Sequence, residues 1–346
     1  MKSLLILGEY QDDFVNKNIK RLQRYAREES LNPRVMSYEE LLRGKTPRIP
    51  TPMLDVMFFF PYTFWGLNCE IPSDTGIYGT SRESHEIFRN FFRGIKEKIE
   101  SQFSDKDISY VIDPDYASID RDKLAVNELL VSKGVSTTKM LPKDLDRILE
   151  FSKTKGVFIK ARYGAMGKGI TYLSPRGWFT NYRVLNKNHL GNYETDCGWR
   201  FTQIDGNIDV IKTLLDLDVV VEEEVVPPSL TQGKKFDIRA YSIFGYVPHM
   251  FVKENEISSI ITNYCQGGTV DHNYEKRLSK DAISLVINQV RNTSNVLNSN
   301  FLGVDVIFDG NFQTPKVMEA QTFSGFPRIR KFNLTRFLAQ QIKNKD

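Results

Sequence analysis

The ten residues from Lys160 to Gly169, Lys-Ala-Arg-Tyr-Gly-Ala-Met-Gly-Lys-Gly, constrain this chain more than any other stretch. Val157 to Arg162 reads as a strand that delivers Lys160 into a glycine-rich turn, and Ile170 to Leu173 reads as the strand that leaves it. Glycines let backbone N–H groups approach phosphate oxygens closely, and lysines supply compensating charge. A plain tight hairpin would use the same glycines, so the segment alone leaves both readings open. Its order, Gly-x-x-Gly-x-Gly, reverses the dinucleotide fingerprint, and no Ser or Thr follows Gly167-Lys168 as a P-loop requires.

Three further segments put polar groups into otherwise apolar strands. Val219-Val220-Val221 turns abruptly into Glu222-Glu223-Glu224-Val225 and is stopped by Pro227-Pro228. Adjacent carboxylates repel one another, so this is either a solvated strand end or a place where cations and hydroxyls stand nearby. Lys235 to Tyr241 alternates, with Lys235, Asp237 and Arg239 on one face and Phe236, Ile238 and Ala240 on the other. That face meets water or lines a polar cleft, where Arg239 could brace a phosphoryl group or carboxylate in bidentate fashion. Asp305 interrupts the apolar strand Gly303 to Phe308, while Glu319 and Gln321 lie two apart at the end of another and project to one side. Two carboxylates and an amide oxygen suit Mg²⁺, although strand-end acids also serve as caps or surface groups.

The rest of the chain frames these segments. Its 346 residues, 40% hydrophobic and 12% aromatic, provide for a large core and predict two or three lobes. Ser3–Leu7, a helix from about Val15 to Arg27, and strands ending at Val35-Met36 and spanning Leu54 to Phe60 predict an N-terminal doubly wound α/β lobe. Thr80-Ser81-Arg82-Glu83 has capping-box form and opens a helix with Phe88, Phe91, Phe92, Ile95 and Ile99 on one face. A strand at Tyr110 to Ile112 completes this lobe. A helix from about Asp120 ends near Gly134, after which strands dominate, including Val247–Lys253 and Ile257–Asn263. A helix from Ser279 to about Leu297 precedes the two strands bearing the acids. Tyr172 to Ile204, rich in aromatics, Asn and Gly, reads as an insertion or mobile lid. The expected division is 1–116, 117–222 with the insertion 172–204, and 223–346.

Composition narrows the partners. A net charge of +4 leaves no broad basic footprint, so no nucleic-acid partner is expected. Cys69, Cys197 and Cys265 are odd in number and far apart, which fits a reduced cytoplasmic protein. Gly8-Glu9 and Asp12-Asp13 cut the run Leu4 to Leu7 short of a signal core, and no stretch reaches the roughly 20 apolar residues of a membrane span. The scattered His85, His189, His249 and His272 are assigned surface or structural roles. The aromatic stretch Phe58 to Trp65 reads as core that could also line a substrate cleft, and Pro327 to Lys331 as a solvated basic loop that could receive an anion.

Taken in order from about Asp120 to Gln321, these segments resemble the ATP-grasp superfamily, in particular glutathione-synthetase-like and ribosomal-protein glutamate ligases. Pro227 to Arg239 also looks like tubulin-tyrosine-ligase-type enzymes. The resemblance implies an α/β protein with α+β lobes in the ATP-grasp fold. It implies that Lys123, Lys160 and Lys168 meet ATP phosphates beneath the loop of Gly164, Gly167 and Gly169. By the same token Glu222, Glu223, Glu224 and Val225 form the adenine and ribose hinge, with Lys235 and Asp237 near the ribose. Asp305, Glu319 and Gln321 match metal positions for Mg²⁺, with Mn²⁺ as an alternative, although the family usually has asparagine where Gln321 stands. Asn263 matches an asparagine that helps position phosphate or metal, and Arg239 an arginine that approaches the acceptor or donor substrate. The implied activity is ADP-forming ligation of a small-molecule or peptide acid to an amine through an acyl phosphate. Alternatives are a kinase of the same fold and a catalytically silent nucleotide binder.

Overall fold

The computed structural model describes residues 2–10, 16–68, 76–186, 189–195, 198–327, 329 and 332–345. Cys69 and Cys197, the side chain of Cys265, the acids Asp12 and Asp13, and the basic residues Arg328, Arg330 and Lys331 lie outside this description.

Ser3–Leu7 (β1) is buried along its whole length, which only a strand covered on both faces tolerates. It pairs in parallel with Asn32–Met36 (β2) and with Met53–Phe58 (β3), and β3 pairs in parallel with Asp107–Tyr110 (β4). The resulting order is β2-β1-β3-β4. The helix Arg82–Gln102 packs Phe88, Phe92, Ile95 and Ile99 into this core. Its cap is Ser81, which accepts a hydrogen bond from the Ser84 amide, one residue later than the expected box starting at Thr80. The last helix, Leu334–Asn344, belongs to the same core through Leu334, Leu338, Ala339 and Ile342. Sequence order assigned it to 223–346, but its four apolar residues find their partners beside the helix Asn16–Glu28, where Asn333 Nδ2 donates to Tyr25 Oη at 2.6 Å.

The second sheet is antiparallel and contains Met140–Leu141 (β5), Val157–Ala161 (β6), Ile170–Ser174 (β7) and Gly177–Thr180 (β8). Arg183–Asn186 (β9) and His189–Gly191 (β10) form a separate ribbon, and Thr202–Gln203 (β11) and Val219–Glu223 (β12) complete the sheet in the order β11-β8-β7-β6-β12-β5. The stretch expected to be an insertion or mobile lid rather than core is woven into this lobe. Leu173, Tyr182, Leu190, Trp199 and Ile204 are buried in its core, because aromatic rings this large repay enclosure and gain little from a solvated loop.

The third sheet, β15-β14-β13-β16-β17, comprises Lys234–Ile243 (β13), Tyr246–Glu256 (β14), Thr269–Asp271 (β15), Phe301–Phe308 (β16) and Pro315–Gln321 (β17). The helix Lys280–Val296, capped by Ser279, covers one face with Ala282, Val286 and Val290. The helix Lys123–Ser132 joins the same core through Val126 and Leu130, so Lys123 stands against the third sheet. No strand forms at Ile257–Asn263: a turn follows β14 and the chain runs irregularly into a short 3₁₀ turn at Tyr264–Gln266. Its β-branched residues face a cleft, with Ile260, Ile261 and Thr262 on the wall.

Candidate active site

That cleft lies between the second and third sheets, and Glu222–Val225 runs from the end of β12 directly along it. About 1020 Å³ of space separates its walls, counted out to open solvent. Alternation on β6 turns Phe158 and Lys160 toward it, while Val157, Ile159 and Ala161 are buried behind. Lys160 Nζ meets Glu222 Oε2 at 2.5 Å, and Thr138 Oγ1 donates to the same oxygen at 3.3 Å.

The three adjacent carboxylates are separated by giving each its own partner. Glu223 pairs with Lys155 at 2.8 Å and Lys139 at 3.5 Å, and the Lys155 hydrogen bond holds its carboxyl below the usual range. Glu224 accepts from Tyr172 Oη at 2.7 Å. Each partner belongs to the second lobe, so the acidic run is fixed before it leaves for the third sheet.

The glycine-rich turn forms the roof. Gly167 and Gly169 have φ of +71° and +69°, a region closed to most side chains. A Cβ on Gly167 would come within 2.4 Å of Asn263 Nδ2, so the turn and the Asn263 amide are in contact. At Gly164 an added Cβ would meet Ala161 at 2.9 Å. Aromatic residues anchor the turn from outside. Tyr78 Oη accepts from the Ala165 amide at 3.1 Å, and Lys168 Nζ lies 5.3 Å and 5.7 Å from the ring centroids of Tyr78 and Trp199. Lys123 Nζ, below, donates to the Gly164 carbonyl.

The floor is set by strand register. Arg239 on β13 pairs with Asp305 on β16, Asp305 with Glu319 on β17, and Asp237 with Lys253 on β14. Arg239 Nε lies 2.8 Å from Asp305 Oδ1, and its Nη1 and Nη2 both reach Gln321 Oε1 at 3.2 Å. Lys253 Nζ sits between two acids, 2.7 Å from Asp237 and 3.0 Å from Asp305. Glu319 Oε1 lies 3.3 Å from Lys123 Nζ. Burial works to raise the carboxyl pKa of Asp305 and Glu319, but cations outweigh it: Arg239 and Lys253 hold Asp305 low, and Lys123 holds Glu319 low. Asp237 goes the other way, because burial outweighs its Lys253 neighbour, and it accepts from Thr262 Oγ1. Burial pushes the Lys235 ammonium down to about 8, with Nζ donating to the Ile260 carbonyl at 2.6 Å.

The donor set suits a hard divalent ion in part. Asp305 and Glu319 line one cleft from adjacent strands, and both are held ionised. Gln321 departs from them, its amide oxygen being turned to Arg239. Among the described residues no group of three or more His, Cys, Asp or Glu is arranged to hold a metal. Any ion here would be held by two carboxylates, with the remaining positions left to phosphate oxygens and water.

All seventeen residues singled out by sequence are described, and all but Gly169, Arg239 and Gln321 line the cleft. Gly169 lies behind it, where a Cβ would meet Tyr182 Oη at 2.7 Å, and Arg239 and Gln321 stand one layer further along the floor. Sequence reasoning missed Lys253, Thr262, Thr138 and Tyr78. Lys253 alone carried a signal, as a charge directly after the apolar run of β14. The histidines stay out of the cleft: His85 stacks on Tyr163 at 4.5 Å, and His249 Nε2 meets His272 Nδ1 at 3.1 Å.

Neither a family model nor a curated protein matches the chain. Solved structures do. The ATP-grasp ligase PsnB, complexed with a phosphomimetic variant of its minimal precursor, Mg and ADP, is 13% identical, with 100% of this chain and 98% of that chain covered at a TM-score of 0.57. The D-cycloserine synthetase DcsG is 11% identical over 99% of each chain, with a TM-score of 0.56. The macrocyclase MdnC of Microcystis aeruginosa, bound to its precursor peptide MdnA, is 10% identical over 99% of this chain and 100% of that one, with a TM-score of 0.59. Such likenesses concern architecture, and with three sheets in this order and a cleft between the second and third the chain has the ATP-grasp fold.

Proposed function

We propose that the chain is a Mg²⁺-ATP-dependent carboxylate–amine ligase, ADP-forming, that works through an acyl phosphate. One observation carries this reading. Lys160 and Lys123, the glycine turn, and the ionised pair Asp305 and Glu319 all face one cleft whose edge is the chain segment Glu222–Val225. Cations and backbone amides gathered opposite fixed carboxylates are what a triphosphate with a divalent counter-ion requires.

In this reading Glu222 to Val225, with Ile260 and Ile261 opposite, bound the base, and Lys235 and Asp237 approach the sugar. Lys160, Lys123, Lys168 and the amides around Gly167 balance phosphate charge, and Asn263 closes the turn over it. Asp305 and Glu319 would hold Mg²⁺, which when bound supplies charge neutralisation between the phosphates. A substrate carboxylate oxygen forms a bond to the γ-phosphorus as the bond to the β-bridging oxygen breaks and ADP leaves. The amine nitrogen then bonds to the acyl carbon, phosphate leaves with the carboxylate's oxygen, and the surplus amine proton passes to solvent. Arg239 is placed to steady charge beside Asp305. No protein nucleophile enters, and a cytoplasmic setting, where ATP is plentiful, completes the proposal.

Hydroxylamine trapping tests it. Incubated with ATP, MgCl₂ and a panel of metabolite and peptide acids, the protein should give hydroxamate and ADP in equal amounts, each dependent on the other. A phosphorylated alcohol with no hydroxamate would replace the ligase by a kinase. Hydroxamate from no acid in a broad panel would overturn the ligase reading.

A further inference from the structure

A second cavity opens between the first and third sheets, reaching Tyr241, two residues along β13 from Arg239. Its walls are Phe58, Phe59 and Phe60 of the first lobe and Tyr241, Phe323 and Phe326 of the third. It holds about 850 Å³ of space open on one side, and among the described residues no charged side chain lines it. The rings are mutually braced: Phe326 lies 4.8 Å from Phe301 and 5.5 Å from Phe59, and Phe323 lies 5.5 Å from Phe60. Tyr241 Oη donates to the Gly325 carbonyl at 2.8 Å, tying the loop after β17 to the cavity wall.

Ser324 lines this cavity, and it approaches Arg239, which stands behind the wall, at Gly303. The buried Ser324 Oγ has no hydrogen-bond partner, a costly state for an enclosed hydroxyl. Ser324 Oγ and Arg239 Nη1 both lie within 3 Å of the point a Cβ would occupy on Gly303, at 2.8 Å and 2.7 Å. Gly303 thus lets a hydroxyl and a guanidinium N–H converge over bare backbone. The remaining faces of the Arg239 fork are spent on Asp305 and Gln321.

Resting on the ligase reading above, we propose that this cavity selects the acid substrate. Its carboxylate sits at Arg239 Nη1 and Ser324 Oγ, and its body is an uncharged, apolar group of aromatic size. An enclosure of rings offers such a group dispersion and area burial, whereas a second charge would be desolvated there with no counter-ion.

Ligand-observed NMR on the full chain with Mg²⁺ and AMP-PNP tests this without turnover, using 3-phenylpropionate and succinate as probes. The expected result is binding of 3-phenylpropionate at least tenfold tighter than succinate. It should weaken at least fivefold in Ser324→Ala, which loses only a hydroxyl, and in Tyr62→Asp, which puts a charge on the half-exposed rim. Equal or tighter binding of succinate, no binding of 3-phenylpropionate, or unchanged affinity in both folded variants would overturn the proposal. The ligase reading fails separately: 3-phenylpropionate that binds as described but never yields hydroxamate removes the chemistry and keeps the cavity, while hydroxamate from succinate alone removes the cavity and keeps the chemistry.

Discussion

Arg239 and Asp305 face each other in register across β13 and β16 and are joined twice, Nε to Oδ1 at 2.8 Å and Nη2 to Oδ2 at 3.0 Å. The fork fixes the carboxylate's plane, and Lys253 braces it from the other side at 3.0 Å. One acid thus holds a buried lysine and a half-buried arginine in place at the floor of the cleft.

Removing that acid should therefore cost more than one ion pair at the surface. Asp305→Asn leaves Arg239 and Lys253 with weaker compensation, and stability at pH 7 should fall by about 3 kcal/mol. Asp305 and Glu319 both have depressed folded-state pKa values, below the ordinary 3.8 and 4.5. Their contribution is full above the unfolded values and is lost as pH falls through the folded ones. Urea unfolding from pH 7 down to pH 3 should show a shallower loss in Asp305→Asn than in the parent; identical slopes would contradict the assignment.

Lys235 predicts a pH dependence in the opposite region. With its ammonium pushed down to about 8 by burial, the free protein loses a cleft cation as pH rises through that value. AMP-PNP affinity should weaken severalfold between pH 7 and pH 9, and Lys235→Arg should flatten the curve. In stability the sign reverses: the burial cost is full below pH 8 and is relieved as pH rises toward the unfolded 10.5. Calorimetric titration across this range checks the first claim, and a flat parent profile would refute it.

Two glycines separate backbone strain from function. Gly134 and Gly167 have similar φ, +75° and +71°, so alanine should cost roughly 1–2 kcal/mol of stability at either position. A Cβ on Gly134 meets nothing within 4 Å, whereas on Gly167 it displaces the Asn263 amide. Gly167→Ala should lose AMP-PNP affinity about tenfold while Gly134→Ala keeps it, at matched thermal shifts. Equal affinities would detach the turn from nucleotide binding.

The polar residues of the site were legible because each interrupts an apolar pattern: Lys160 ends a strand, Asp305 breaks one, and Glu319 and Gln321 close another. Their pairings were not, because register is set by which faces are buried across three strands and only the folded sheet brings Arg239 opposite Asp305. Lys253 was overlooked for the same reason. Ile257–Asn263 has strand composition, yet its residues serve the cleft wall, and Asn255 Nδ2 takes the Ile261 carbonyl at 2.9 Å in place of a ladder partner. The Tyr172–Ile204 stretch reads as an insertion or mobile lid because its rings follow no strand or helix period and meet only in space, Tyr182 and Trp199 at 5.9 Å. Between them Asn192 Oδ1 accepts from the Tyr78 amide at 2.8 Å, and the Tyr78 ring lies 5.3 Å from that of Trp199.

If a nucleotide and its divalent ion bind between the second and third sheets, titration with AMP-PNP will show it. Three proteins suffice: the parent, Glu319→Gln, and Lys160→Met/Glu222→Gln, which removes the buried pair together so that neither charge is stranded. The parent should bind saturably, and its affinity should drop when EDTA removes Mg²⁺. The Lys160 and Glu222 variant should lose at least tenfold, about 1.4 kcal/mol, and Glu319→Gln should lose the Mg²⁺ dependence. Binding that is unaltered in both folded variants, or a parent that does not bind at all, would contradict a site between those sheets.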